Sequence, residues 1–304
     1  MDEMMTDAIS LAGIFPPIPT PFDEKGSVAH DRLAENIARW CKTPLAGLLL
    51  LGSNGECPYL TDEEKLQVLR TARAAIPPHK LFIAGTGTES TLATVKLVEQ
   101  AATIGADAAM VITPSYFKSK MDTGAMRRHY LEVANQSPIP IIIYNIPANT
   151  GVDITAAAVL ELAGHPNILS IKDSSGNVVK LGEILRSAPP HFQVLAGAAS
   201  FLYAAMVLGA VGGIAALANV APGLCCDLYE AIRAGCHDRA RALQLRLIPA
   251  NNAVTAQFGV PGLKQALDWV GYYGGPVRSP LGPLEPAQQV TLRAILTEAG
   301  VLPA

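Results

Sequence analysis

Residues 80–112 hold KLFIAG (80–85), the loop TGTE, STLATVKLVEQAATIG (90–105) and then DAAMVI (107–112). The outer two runs are short and apolar throughout, as strands buried on both faces are. The stretch between them opens at Ser90, a residue suited to cap a helix, and closes at Gly105, which helix C-termini favour. Strand, helix and strand in this order form one unit of parallel pairing.

The same rhythm runs outward in both directions. Further candidate strands are GIFPPI (13–18), AGLLLL (46–51), IPIIIYN (139–145), NILSIKD (167–173), QVLAG (193–197) and GGIAAL (212–217). Helical patterns lie between them. Thr61-Asp62-Glu63-Glu64 is a capping box, with Leu66, Val68, Leu69, Ala72 and Ile76 following at mostly helical spacing until Pro77-Pro78 stops the helix. Eight such strands in one unbroken series predict a (β/α)8 TIM barrel. A doubly wound dinucleotide-binding sheet would carry GxGxxG after its first strand, whereas GTGTES follows the third and lacks the last glycine. Past about residue 236 only helical patterns remain. The expected organisation is an N-terminal tail (1–12), a catalytic barrel (13–236) and a C-terminal helical domain (237–304).

Composition narrows the function classes. The 304 residues are 50% hydrophobic and 16% charged, which excludes a disordered chain. A net charge of −3 argues against nucleic acid as a partner. The five cysteines form no CxxC pair, so neither a disulfide scaffold nor a structural zinc site is expected. From Val194 to Cys226 no residue carries a formal charge, enough for a membrane span of about 20 residues. Five glycines and Pro222 interrupt that run, which is better divided into strand, helix and strand, so no membrane association is expected. The acidic MDEMMTDAIS resembles neither a signal nor a transit peptide. The expected location is cytoplasmic.

In such a barrel, reactive groups sit at the C-terminal strand ends. Lys172 closes the apolar NILSIK. It is open to two readings: a lysine snorkelling to solvent, or an amine whose pKa burial lowers until it can attack a carbonyl. Of the other lysines, Lys65, Lys96 and Lys264 lie in amphipathic helices, and Lys25, Lys80, Lys118 and Lys120 lie in polar loops or at element edges. Tyr144 ends the preceding strand at the same level and is either a core tyrosine or a proton shuttle. The turn Gly52-Ser53-Asn54-Gly55-Glu56 could cradle a carboxylate, and Tyr116 lies in the loop after DAAMVI. No HxH, HExxH or GxSxG motif occurs, so no metal site and no α/β-hydrolase elbow is expected.

Taken together, GSNGE (52–56), YNIPANTG (144–151) and IKDSSG (171–176) resemble the dihydrodipicolinate synthase and N-acetylneuraminate lyase superfamily. The likeness runs from Gly13 to about Leu302 and looks closest to the 4-hydroxy-2-oxoglutarate aldolases. It implies a class I, lysine-dependent pyruvate aldolase with no cofactor beyond a covalent imine on Lys172. Tyr144 would be the catalytic tyrosine, and Ser53 and Asn54 would hold the pyruvyl carboxylate. Tyr116 would enter a neighbouring subunit's site, which implies a homodimer or homotetramer. Ser174 would help place the substrate, and Ile214 would pack on the pyruvyl group. Asn149 stands where the synthases carry an arginine for the aldehyde's carboxylate. The expected reaction is therefore cleavage of 4-hydroxy-2-oxoglutarate to pyruvate and glyoxylate. The alternatives are dihydrodipicolinate (4-hydroxy-tetrahydrodipicolinate) synthase, another pyruvate-dependent lyase of the superfamily, or a silent barrel that senses a keto acid.

Overall fold

The computed structural model describes residues 9–303, so residues 1–8 of the expected N-terminal tail, and residue 304, lie outside it. Eight strands follow one another: β1 (Gly13–Phe15), β2 (Gly47–Leu50), β3 (Leu81–Gly85), β4 (Ala108–Ile112), β5 (Ile141–Asn145), β6 (Ile168–Asp173), β7 (Gln193–Ala196) and β8 (Gly212–Ile214). From β2 to β8 each pairs in parallel with its sequence neighbour, and β8 pairs in parallel with β1. Between β1 and β2 the ring is closed by Ala46 N–H to Ile14 O, 3.0 Å, Leu49 N–H to Pro16 O, 3.1 Å, and Ile18 N–H to Leu49 O, 2.8 Å. The fold is the (β/α)8 barrel.

Helices fill the connections: α1 (His30–Trp40), α2 (Asp62–Ala75), α3 (Thr91–Ile104), α4 (Thr123–Gln136), α5 (Pro147–Thr150), α6 (Ala156–Ala163), α7 (Val178–Ser187), α8 (Leu202–Leu208) and α9 (Pro222–Arg233). The capping signals act as the sequence suggests. Thr61 and Glu64 form both bonds of the box at the start of α2, Ser90 accepts from Ala93 N–H, and α3 ends at Gly105 with φ +99°. Two strands are shorter than their apolar runs. Pro16 and Pro17 have no N–H to donate, so β1 stops at Phe15. After Ile214 the chain tightens into a 3₁₀ turn, Ala216–Asn219, and leaves the ladder.

The uncharged run 194–226 is spread over β7, α8, β8 and the start of α9. Among the described residues no helix is long and apolar enough to cross a membrane.

Three helices complete the chain: α10 (His237–Asn252), α11 (Gly259–Trp269) and α12 (Pro286–Glu298), with a π-helical turn at Ala253–Gln257. They dock on the top of the barrel through buried polar contacts. Gln244 donates to Ala199 O, 2.8 Å, and Asn251 Oδ1 accepts from Ala199 N–H, 3.2 Å.

The core has two parts. A large one lies between the strands and the outer helices. A smaller one fills the barrel with Phe15, Leu49, Ile83, Met110, Ile142 and Leu195. Tyr144 and Ile214 belong to that inner cluster, which puts the ends of β5 and β8 at the mouth of an apolar, water-poor interior.

Candidate active site

Register decides the geometry. β5 and β6 pair so that Tyr144 stands opposite Lys172 and Asn145 opposite Asp173. Side chains alternate across a strand. Tyr144 and Lys172 therefore share the barrel interior, and the next pair faces outward. Lys172 Nζ lies 3.9 Å from the centroid of the Tyr144 ring. Both residues are 4% exposed.

The outward pair is locked by a polar network, buried at Asn145, Asp173 and Lys180 and reaching the surface at Asp153. Asn145 Nδ2 donates to Asp173, 2.9 Å, and to Asp153, 2.7 Å. Lys180 of α7 reaches the same two carboxylates at 2.8 and 2.6 Å. Ser175 N–H and Oγ both donate to the other oxygen of Asp173. The network fixes the register one residue beyond Tyr144 and Lys172.

Three lysines are buried: Lys172, Lys180 and Lys264. The position of Lys264 corrects its reading as an ordinary residue of an amphipathic helix, because it is 1% exposed and pairs with Glu56 at 2.6 Å. Lys180 is paired too. Lys172 alone of the three has no carboxylate within ion-pair distance among the described residues. Burial without a counter-ion lowers its pKa to about 7. An ordinary lysine keeps only about one amine in 2,500 neutral at pH 7, and a fall of the pKa to about 7 raises that share roughly a thousandfold. A neutral amine in such an environment is able to attack a carbonyl.

Burial acts in the opposite sense on Tyr144 and raises its phenol to about 12, opposed by the Ser53 and Ser174 hydroxyls. The phenol stays protonated at neutral pH and can donate. Its oxygen is 3.2 Å from Ser53 Oγ, which connects β5 to the turn after β2. That turn is bracketed by two non-glycine residues at positive φ, Leu51 (+58°) and Glu56 (+54°), with a 3₁₀ turn, Ser53–Gly55, between them. Positive φ in side-chain-bearing residues is strained and tends to mark functional turns. Next to Ser53, the Asn54 amide nitrogen is buried without a partner, a free donor at the position expected for a carboxylate.

A cavity of about 470 Å³ opens here, with Ser53, Tyr144, Asn149 and Thr113 in its wall, while Lys172, Asn54, Ser174 and Ile214 are not among the residues lining it. Asn149 belongs to the short helix α5 that directly follows β5. Ser174 is held where β6 ends, its N–H donating to Asn145 O at 2.8 Å and its Oγ to Gly197 O at 3.4 Å. A β-carbon at Gly197 would stand 2.0 Å from Ser174 Oγ, so that approach requires glycine. Ile214, fully buried, ends β8.

Tyr116 is not brought to this cavity. It is 77% exposed and packs edge-on against the equally outlying Phe117, with ring centroids 5.0 Å apart. Its loop is tied down by Glu89, whose carboxylate accepts from Ser115 N–H and Tyr116 N–H, both at 2.8 Å. Glu89 and Lys65 also line the cavity and were not singled out in the sequence. Lys65 looks like a solvated residue of an amphipathic helix and Glu89 like a loop charge, and only the fold brings both to the cavity.

Known proteins resemble this chain over nearly its whole length. The profile of the dihydrodipicolinate synthetase family matches residues 10–299. An uncharacterized DapA-like lyase of Halobacterium salinarum is 36% identical over 97% of this chain and 96% of its own length. A 4-hydroxy-tetrahydrodipicolinate synthase of Methanoculleus marisnigri is 35% identical over 95% of this chain and 99% of its own. The crystal structure of the chloride-inhibited dihydrodipicolinate synthase of Acinetobacter baumannii, complexed with pyruvate, superposes with a TM-score of 0.91 at 29% identity, covering 96% of this chain and all of that one. These names do not show the expected closer likeness to the 4-hydroxy-2-oxoglutarate aldolases, and they favour the synthases instead.

Proposed function

The chain belongs to the dihydrodipicolinate synthetase family, and within that family of pyruvate-dependent lyases we propose that Lys172 does the chemistry as an imine-forming amine. The observation that carries this is the buried lysine without a counter-ion, set 3.9 Å from the Tyr144 ring. The neutral amine attacks the 2-keto carbon of the substrate, and loss of water leaves a protonated imine. In the cleavage direction the electrons of the C3–C4 bond flow into that imine, and the C4 hydroxyl gives up its proton as the aldehyde departs. Tyr144 and Ser53, 3.2 Å apart, form the relay that carries the proton. The resulting enamine takes a proton at C3, and hydrolysis frees pyruvate and Lys172. In the synthetic direction the same enamine attacks an aldehyde. As written, these steps use no metal and no organic cofactor.

Ser53 and Asn54 receive the carboxylate of the pyruvyl half in this reading, Ile214 packs on that half, and Ser174 and Asn149 face the other. Tyr116 serves a neighbouring copy of the chain. Its 77% exposure on a loop held by Glu89 is what a residue given to another subunit would have.

Two aldehydes have support of different kinds. The names of the relatives favour aspartate semialdehyde, and hence the synthase. One observation on the chain favours glyoxylate, and hence the aldolase: no arginine is among the residues in the cavity wall, and Asn149 occupies the place expected for one. An amide cannot provide the charged two-point grip of a guanidinium on the semialdehyde's distal carboxylate, whereas the carboxylate of the shorter glyoxylate lies closer to the reacting carbon, within the reach assigned to Ser174. Measuring kcat/KM for 4-hydroxy-2-oxoglutarate cleavage and for condensation of pyruvate with aspartate semialdehyde on one preparation separates the two. Loss of both in Lys172→Ala is expected on either, and a Lys172→Ala protein that retains activity would refute the common mechanism.

A further inference from the structure

Glu56 closes the strained turn that carries Ser53 and Asn54, yet the reaction above gives it no task. Its carboxylate is 2% exposed and its backbone is left-handed, with φ 54° and ψ 32°. One oxygen lies 2.6 Å from Lys264 Nζ of α11. The other accepts from Arg278 N–H at 2.8 Å. Lys264 is itself anchored, donating to Pro276 O at 2.8 Å and standing 4.4 Å from the centre of the Phe22 ring. Arg278 grips Glu64, the capping residue of α2, through two bonds of 2.8 and 2.7 Å, and donates to Tyr59 O at 2.7 Å. Lys264 of α11 and Arg278 of the connection between α11 and α12 thus hold both ends of the segment 56–64.

A fully buried ion pair is no better for stability than a well-packed apolar pair, and a side chain at positive φ costs stability as well. Both features fall on one residue, at the end of the turn whose Ser53 lines the cavity and whose Asn54 amide nitrogen is buried without a partner. Within that turn Glu56 N–H donates to Ser53 O at 3.2 Å, and Thr20 Oγ donates to Gly55 O at 2.7 Å. A shift of Glu56 is therefore passed directly to Ser53.

We propose that the Glu56–Lys264 pair is a positioning device: the C-terminal helices set the 52–56 turn through it, so that Ser53 and Asn54 meet the keto acid's carboxylate. The proposal rests on the reading of that turn as the carboxylate site. Lys264 lies outside the cavity wall, Glu56 stands at its edge with its two carboxylate oxygens given to Lys264 and Arg278, and the pair acts through Ser53 and Asn54.

The test measures pyruvate half-saturation, by borohydride trapping over a range of pyruvate concentrations, beside turnover at saturation and the unfolding temperature. Lys264→Met should raise half-saturation about tenfold, the loss of roughly one hydrogen bond, while saturated turnover per folded molecule stays within about threefold. Lys264→Arg should restore much of the affinity. The double variant Glu56→Gln with Lys264→Met, which leaves no buried charge unpaired, should regain unfolding temperature without regaining affinity. Should Lys264→Met fail to fold, the double variant gives the same split. Wild-type half-saturation in folded variants, or an affinity that simply follows the unfolding temperature, would overturn the proposal. Wild-type protein that traps no pyruvate would instead overturn the underlying reading of the site.

Discussion

Lys172 and Tyr144 are register partners on adjacent strands, and the lysine nitrogen lies against the face of the tyrosine ring, 3.9 Å from its centroid. An ammonium would be attracted to that face, but burial disfavours the charge. The outcome is a lysine poised near neutrality beside a phenol that stays protonated, because one burial lowers the pKa of a base and raises that of an acid. One environment thus sets both roles.

The pH dependence follows from this. The rate of imine formation with pyruvate should rise with unit slope below about pH 7 and level off above it, as the neutral amine of Lys172 appears. Stopped-flow mixing with pyruvate across pH 5 to 9 checks this, and a midpoint near the ordinary lysine value would contradict it. Stability carries the same signature. Between about pH 7 and 10 the unfolded chain holds a proton on this lysine that the folded chain does not, so Lys172 makes stability rise with pH across that window. Lys172→Met should flatten that rise in denaturant titrations.

Tyr144→Phe should keep the imine and lose turnover. The ring face beside Lys172 is retained, whereas the oxygen 3.2 Å from Ser53 is removed. A proton relay of this kind contributes about 10² to 10⁴ in rate. Steady-state turnover down by that factor, with pyruvate still trapped on the protein, is the expected pattern. Turnover near that of the wild type would remove Tyr144 from the mechanism.

Asn149→Arg tests the acceptor half. A charge-assisted hydrogen bond is worth roughly 1.5–3 kcal/mol, or about ten- to a hundredfold in rate. Placing a guanidinium on α5 should raise semialdehyde condensation relative to 4-hydroxy-2-oxoglutarate cleavage by at least the lower figure. An unchanged ratio would mean that another group already serves the second carboxylate, as the synthase names of the relatives suggest.

Much of this arrangement is legible in the sequence. Short apolar runs mark all eight strands because every strand is buried on both faces. The Thr61–Glu64 capping box and Gly105 fix helix ends through local bonds. Lys172 and Tyr144 stand out because polar groups are unusual at the ends of such runs. What escapes the sequence is partnership across distance. Lys264 reads as a solvated helix residue because nothing near it in the chain reveals that Glu56 waits across the fold. Lys180 is likewise unreadable without Asp153 and Asp173. Glu89 looks like a loop charge until the Tyr116 loop folds onto it.

Assembly is the next expectation. Tyr116 and Phe117 are 77% and 68% exposed at the end of the loop Glu89 holds, away from their own cavity. Sedimentation at assay concentration should find a dimer or tetramer, with Tyr116→Ala slowing turnover without changing the unfolding temperature. A fully active monomer would show that Tyr116 serves no neighbouring site.

The decisive measurement is borohydride reduction in the presence of pyruvate, followed by peptide mapping of the adduct. Three lysines are buried, and only Lys172 lacks a carboxylate partner among the described residues. The expected result is one reduced pyruvyl adduct per chain, on the peptide holding Lys172, with none on Lys180 or Lys264 and none in Lys172→Ala. An adduct on another lysine, or no adduct from folded protein at saturating pyruvate, would contradict the imine mechanism.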